Sequence, residues 1–334
     1  NDTGNSYVDS SLAESTHYFY QAWSWNNSEN TYSDTFVSAD ATTSENLPPV
    51  FSFEHPVNNS GTVDVYQNLV NVTINDPDGD LFDWSIESPY LKKYTKTFSV
   101  QDSNAGYMRE TSADLTDDDL FAGYYTASYN EYYNGFVRLI NENGLPENAV
   151  ITNATFTVAS QAQSGSLWND SHATIFGVLD DTDHDSLWSD PSPTFGEYAH
   201  SNLGVAEFGN VYGDPGTNTY VDINFNQNGL SQLQDILVTG QQTNVTVRTD
   251  YSENVPSDGL YIKTWHSGLE TSSEYPPELT VLYYLASGND ESNGSKSVEL
   301  ETPLPPETEI KWYVNASDGT ETTSEWYCFT TGEF

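Results

Sequence analysis

The chain has 334 residues, nine Lys and Arg against fifty Asp and Glu, and a net charge of −41, so its surface repels phosphate backbones and nucleic-acid binding is excluded. Twenty-three Tyr, fifteen Phe and eight Trp give it far more to bury than a disordered acidic tail has, and a single cysteine, Cys328, rules out a disulfide framework. No apolar run is long enough to span a bilayer, and the length suits two or three sandwich-sized domains.

In chain order, His17–Trp25 and Thr35–Thr43 read as two strands around a polar turn at Asn26–Asn30. A period of two puts Tyr18, Tyr20 and Ala22 on one face and His17, Phe19, Gln21, Trp23 and Trp25 on the other. Phe19, Trp23 and Trp25 are three large aromatics on a face that should meet water. Such a face calls for a cover: a neighbouring domain, another subunit, a sugar, or the rest of the strand's own module. Pro48-Pro49 then ends the segment, because a Pro pair cannot sit in a central strand and stiffens a connection.

A new module starts near Val50. It runs through Val50–Phe53, a turn at Asn58–Gly61, alternating Val63 and Val65, then Val70, Val72 and Ile74, and the turn Asp76-Pro77-Asp78-Gly79-Asp80 before Leu81–Ile86. Asp76, Asp78 and Asp80 alternate around a glycine. That spacing suits either a plain Asp-Gly turn or a hard cation, calcium first, with Asp83 or Asp318 completing the shell.

From about 89 to 286 the pattern changes to an inserted domain with strands at Tyr133–Ile140, Ala149–Ala159, His172–Leu179, Thr219–Phe225, Asn244–Thr249, Leu260–Thr264 and Glu278–Tyr284. One helix, Gly229–Leu237, follows from the spacing of Leu230, Leu233, Ile236 and Leu237. Asp180, Asp181, Asp183 and Asp185, with Asp190 nearby, form either a solvated acidic loop or a divalent-metal site, since four carboxylates in six residues repel one another unless solvated or neutralised.

The chain closes with Ser297–Leu300, Leu304–Ala316, Asp318-Gly319 and Trp326–Thr331. Leu304-x-x-x-Thr308-x-Ile310-x-Trp312-x-Val314-x-Ala316 repeats the register of Leu12-x-x-x-Thr16-x-Tyr18-x-Tyr20-x-Ala22-x-Ser24, and each copy runs into a Thr-Thr ending. The second copy closes the module opened at Val50. The first closes a module whose opening strands are not in this sequence.

Pro48-Pro49, Asp76–Asp80, Leu304–Val314, Asp318-Gly319 and Phe329-Thr330-Thr331 together resemble the immunoglobulin-like and fibronectin type III repeats of large archaeal and bacterial surface proteins. The insertion, through Phe136-Val137-Arg138-Leu139, Leu145-Pro146, Ile151–Phe156, Trp265-His266-Ser267 and Pro276–Val281, resembles the DNRLRE-type sandwich domains found in secreted surface and polysaccharide-degrading proteins, some of which bind carbohydrate. These resemblances imply an all-β chain of tandem β-sandwiches: a C-terminal half-module over 1–46, an Ig-like domain split between 47–88 and 287–334, and a jelly-roll-like insertion over 89–286.

No Gly-x-Ser-x-Gly or His-Glu-x-x-His occurs and the six histidines are scattered, so no catalysis is expected. Sequons at Asn1, Asn26, Asn58, Asn71, Asn153, Asn169, Asn244, Asn293 and Asn315 are compatible with a glycosylated exterior protein. The expectation is a calcium-tolerant structural or adhesive component of an extracellular filament, sheath or surface layer that self-associates, in part by strand complementation. The alternative is a non-catalytic carbohydrate-binding or adhesion region of a longer secreted surface protein, using Trp168, Trp188 or Trp265 as sugar platforms.

Overall fold

The computed structural model describes residues 7–109, 112–114, 119–125, 131–139, 144–164, 173–179, 206–249, 260–267 and 275–334. The chain is all-β with one helix among these residues, in multiple antiparallel sheets. The N-terminal segment forms β1 (His17–Ala22), β2 (Trp25–Asn26), β3 (Thr31–Tyr32) and β4 (Val37–Thr42). They make one long hairpin, β1 against β4 and β2 against β3, that bonds to no further strand among the described residues. The expected pair of strands is there, but β1 breaks after Ala22, where Ser33 N–H donates to the Ser24 carbonyl at 2.9 Å and the hairpin resumes only at Trp25.

Next come β5 (Val50–His55), β6 (Ser60–Val63), β7 (Leu69–Asn75) and β8 (Phe82–Glu87). The alternation of Val70, Val72 and Ile74 in β7 and of Phe82, Trp84 and Ile86 in β8 buries all six. Their partners lie at the far end of the chain.

The inserted sequence supplies β9 (Tyr94–Arg109), β10 (Ser112–Asp114), β11 (Asp119–Tyr125), β12 (Glu131–Leu139), β13 (Ala149–Ser164), β14 (Ala173–Leu179), β15 (Ala206–Tyr212), β16 (Thr219–Asn224), α1 (Gln227–Val238), β17 (Thr243–Thr249), β18 (Leu260–His266) and β19 (Glu278–Leu285). The two 16-residue strands organise it. β9 pairs with β19 along its first half and with β12 along its second, and β13 passes from β19 to β18, so β9, β19, β13, β18, β11 and β12 close a ring. Phe156, Phe176, Phe208 and Trp265 meet edge to face and tilted in the core of this insertion. The helix is longer than its apolar spacing implies, because Asn226 caps it by accepting the Gly229 N–H at 3.0 Å. Leu233, Ile236 and Leu237 bury its inner face.

The last strands are β20 (Ser287–Glu291), β21 (Gly294–Glu299), β22 (Glu309–Ser317) and β23 (Thr322–Thr331). They join the early ones in two sheets, β20-β8-β22-β23-β6 and β21-β7-β5. A single core lies between the sheets, with Val70, Val72 and Ile74 from one and Ile86, Ile310, Trp312, Val314 and Phe329 from the other. β8 and β20, which precede and follow the insertion, lie side by side, with Ser85 opposite Ser287. Lys92 pairs with Glu299 at the crossing, and Leu91 bridges to Leu300.

Candidate interaction site

The repeated phrase builds the same object twice. In the closing hairpin the Thr331 hydroxyl accepts the Thr308 N–H at 2.9 Å and donates to the Pro305 carbonyl at 2.5 Å, while the Thr308 hydroxyl donates to the Pro306 carbonyl at 2.8 Å. In the N-terminal hairpin the Thr43 hydroxyl accepts the Thr16 N–H at 2.9 Å and donates to the Ala13 carbonyl at 2.6 Å, while the Thr16 hydroxyl donates to the Glu14 carbonyl at 2.7 Å. The cross-strand register agrees as well. Tyr18 faces Ala41 as Ile310 faces Phe329, Tyr20 faces Ala39 as Trp312 faces Tyr327, and Ala22 faces Val37 as Val314 faces Glu325. The turns are of equal length, 27–30 and 318–321, and the extra residues of the first copy fall in the break between Ala22 and Trp25 and between Tyr32 and Val37.

The two copies differ in what covers them. Ile310, Trp312, Val314 and Phe329 are at most 1 % exposed. From Tyr7 to Pro48, by contrast, no residue is buried, and Val37 is 73 % exposed. Tyr20, Ala22, Val37 and Ala39, with Tyr7, Asp9 and Leu12 beside them, line a mainly apolar groove of about 650 Å³ where the second copy has its core. A two-stranded ribbon without a covered face is marginal in water.

Phe19 on the opposite face of β1, and Trp23 and Trp25 beyond its break, are 79 %, 47 % and 44 % exposed. They cover one another only in part: Trp25 meets Tyr32 edge-on at 4.6 Å, Trp23 meets Phe36 at 5.4 Å, and Phe19 lies 4.4 Å from the His17 ring. His17 also pairs with Asp40 at 3.0 Å. The first Lys or Arg of the whole chain is Lys92, so the acids of this region meet backbone N–H groups, amides and His17 instead of fixed cations.

The hairpin is tied to the split domain through its linker. The Asn46 amide donates to Asp318 at 2.8 Å and Leu47 N–H donates to Asp78 at 2.7 Å. Burial opposes charge on Asp318, but the N–H of Glu321, the Asn46 amide and the N–H of Thr320 outweigh it and hold the carboxyl below its ordinary range.

Asp76, Asp78 and Asp80 are shared out differently. Asp76 is 1 % exposed and its Oδ1 accepts the N–H groups of Asp78, Gly79 and Asp80 at 3.0, 2.9 and 3.1 Å, a side-chain cap for a turn in which Gly79 takes φ +84°. Asp78 faces the linker, Asp80 is exposed, and Asp83 accepts the Asp290 N–H. Among the described residues no three His, Cys, Asp or Glu side chains are gathered to hold a metal ion. Asp180, Asp181, Asp183, Asp185 and Asp190 lie outside the described residues.

The sequons also sort by position. Asn153 is exposed in β13, and Asn26 is exposed in the hairpin turn with its amide on Glu29. Asn58, Asn71 and Asn315 are half-buried, and Asn293 is exposed while both accepting from and donating to the backbone of Asp76. Asn244 corrects the sequence reading: it is fully buried in β17, with both faces of the strand covered, and offers a glycan no room. Asn1 and Asn169 lie outside the described residues. Glycopeptide mass spectrometry of protein from its source is expected to find Asn244 unmodified, and an occupied Asn244 would mean that β17 is modified before it folds.

Trp265 requires a second correction. It is fully buried against Phe176, between β13 and β11, and cannot serve as a sugar platform. Trp168 and Trp188 lie outside the described residues. One exposed aromatic pair escaped the sequence reading, Trp326 over Tyr313 at 4.9 Å on the outer face of β22 and β23. The alternation of buried Ile310, Trp312 and Val314 already places Tyr313 outward.

No helix among the described residues is long and apolar enough to cross a membrane. No protein-family model matches the chain, and no curated protein matches it. Among solved structures, the tripod from the baseplate of bacteriophage Tuc2009 is 9 % identical, with 72 % of this chain and 98 % of that chain covered and a TM-score of 0.13. A structure described as manganese lipoxygenase of Gaeumannomyces graminis and partial zonadhesin of Komagataella pastoris is 8 % identical, with 86 % and 94 % covered and a TM-score of 0.15. Scores of this size carry neither fold nor function across to this chain.

Proposed function

We propose that the chain is a non-catalytic structural or adhesive component of an extracellular assembly, in which tandem β-sandwich modules are joined by sharing strands. The observation that carries this reading is the N-terminal hairpin, a duplicate of the one that closes the split domain, with its core face uncovered and its outer face aromatic. Main-chain bonding along a free strand edge, together with burial of such a face, is how polypeptides join by strand addition. Exposed sequon residues such as Asn153 and the strongly acidic composition suit an exterior surface.

A hard cation at the Asp76–Asp80 turn belongs to the same proposal. The donor set is all oxygen, and Asp76 Oδ2 is buried without a hydrogen-bond partner. Binding there requires Asp78 and Asp80 to turn toward Asp76, and the cation would stiffen the pole where the linker docks.

Electron microscopy of the purified chain, with calcium and with chelator, tests both parts. Filaments or sheets with contacts at residues 11–43 are expected, together with a melting transition that falls on chelation. A monodisperse monomer with a fully ordered N-terminus overturns the assembly reading. An unchanged transition removes calcium from it.

A further inference from the structure

The intact copy of the hairpin specifies what the exposed copy lacks. β22 is bonded on its outer edge to β8, antiparallel, with Val314 opposite Ile86 and Ala316 opposite Trp84. β23 is bonded on its other edge to β6, parallel, at Phe329 and Thr331. The second sheet, β21-β7-β5, then covers the face. Carried across the repeat, the β8 slot falls on Gln21–Trp25 and the β6 slot on Ala41–Thr43. Among the described residues β1 bonds to β4 alone, so the β8 slot is open.

The side chains set the size of the missing layer. Where the closing hairpin brings Tyr327 and Phe329 to the core, the N-terminal hairpin brings Ala39 and Ala41, while Tyr18 and Tyr20 replace Ile310 and Trp312. A layer built like β5–β8, with Val70, Val72 and Ile74 at its centre, would leave the space of two aromatic rings empty above the alanines, and unfilled core volume is strongly destabilising. Exchange of the closing hairpin for the N-terminal one between two copies of this chain is therefore disfavoured, and a second copy would have to cover the groove with a layer other than β5–β8. The hairpin face of the groove carries Tyr, Ala and Val, and its one charge is Asp9 beside the Tyr20 hydroxyl, so its cover over the alanines must be apolar.

Resting on the reading of the chain as a component joined by shared strands, we propose that the N-terminal hairpin is the closing hairpin of a second sandwich. Its other layer is a β-layer of a neighbouring module that brings an antiparallel strand to Gln21–Trp25 and large aromatic side chains over Ala39 and Ala41. The occupant is thus a polypeptide of sandwich type with a bulkier core than the split domain has, rather than a sugar or a lipid surface.

A graft onto the full chain tests this. Residues 48–88 joined to 287–302 are placed directly before Ser11, which supplies the β5–β8 layer with β20 and β21 in the order the closing hairpin sees. Amide hydrogen exchange at Gln21–Trp25 is read in this graft and in the same graft carrying Ala39→Tyr and Ala41→Phe. The expected result is slowing at Gln21–Trp25 relative to the unmodified chain, at least tenfold greater in the double variant, whose added rings replace the missing bulk. Unchanged exchange in both grafts, or equal slowing in both, overturns the proposal. Absence of filaments from the unmodified chain would overturn the assembly reading while leaving these exchange rates as they are, so the two failures are distinguishable.

Discussion

Trp312→Ala is expected to destabilise the split domain by about 3–5 kcal/mol, and Tyr20→Ala, at the same position of the repeat, to change the isolated chain by less than about 0.5 kcal/mol. Trp312 is fully buried and stacks on Tyr327 at 4.7 Å, so its removal opens a cavity in the middle of a closed core. Tyr20 lies half-exposed in an open groove, so the space its ring would vacate is open to solvent and leaves no closed cavity. Because the described residues form two separate buried cores, a single unfolding midpoint mixes them. Urea titration with exchange read at β7 and β22 isolates the first effect. The asymmetry should reverse in the assembled state: Tyr20→Ala is expected to weaken subunit or module joining at least tenfold in a sedimentation assay, whereas an intact assembly of this variant would mean that the groove is not the joint.

Thr331→Val is expected to cost about 1–3 kcal/mol, with Thr43→Val at less than about 1 kcal/mol. The two hydroxyls make equivalent bonds, but Thr331 is 2 % exposed and Thr43 is half-buried. Removing the first takes a hydroxyl out of a buried position and puts a methyl group against the half-buried Thr308 N–H, whereas at Thr43 the site itself is open enough for solvent to take over the lost bonds. The pair thus measures burial at constant hydrogen-bond geometry. Equal losses at the two sites would show that the N-terminal clasp is already covered in solution.

The all-β class was legible because period-two alternation is strong wherever one face is buried, as in Val70-x-Val72-x-Ile74 and Ile310-x-Trp312-x-Val314. The strands that escaped lack that signal. β9 runs through Gln101-Asp102-Ser103-Asn104, which reads as a loop, and β11 starts at Asp119, within three aspartates that read as a turn. β11 is held by β18 on one side and β12 on the other, and β9 by β19 before Gln101–Asn104 and by β12 after it, rather than by their own pattern.

Depth misled the sequence reading at the candidate sites. Val245 and Val247 mark one inner face of β17, so Asn244 should point outward, yet the strand lies between β12 and β14 with its second face covered too. Trp265 is covered in the same way. Asp76-x-Asp78-x-Asp80 has one spacing for two outcomes, a cation loop or a capped turn. Asp76, buried under three N–H groups, forms the cap in this structure.

The adjacency of β8 and β20 has a mechanical meaning. The chain leaves the split domain after one of these strands and returns on the next one in the same sheet. Tension applied between the linker at Asn46 and the strand ending at Thr331 runs through the two sheets of the split domain, while the eleven-stranded insertion hangs beside that line. A fibre of such modules would bear load on its small sandwiches alone, leaving the larger domain free to present its surface without being stretched.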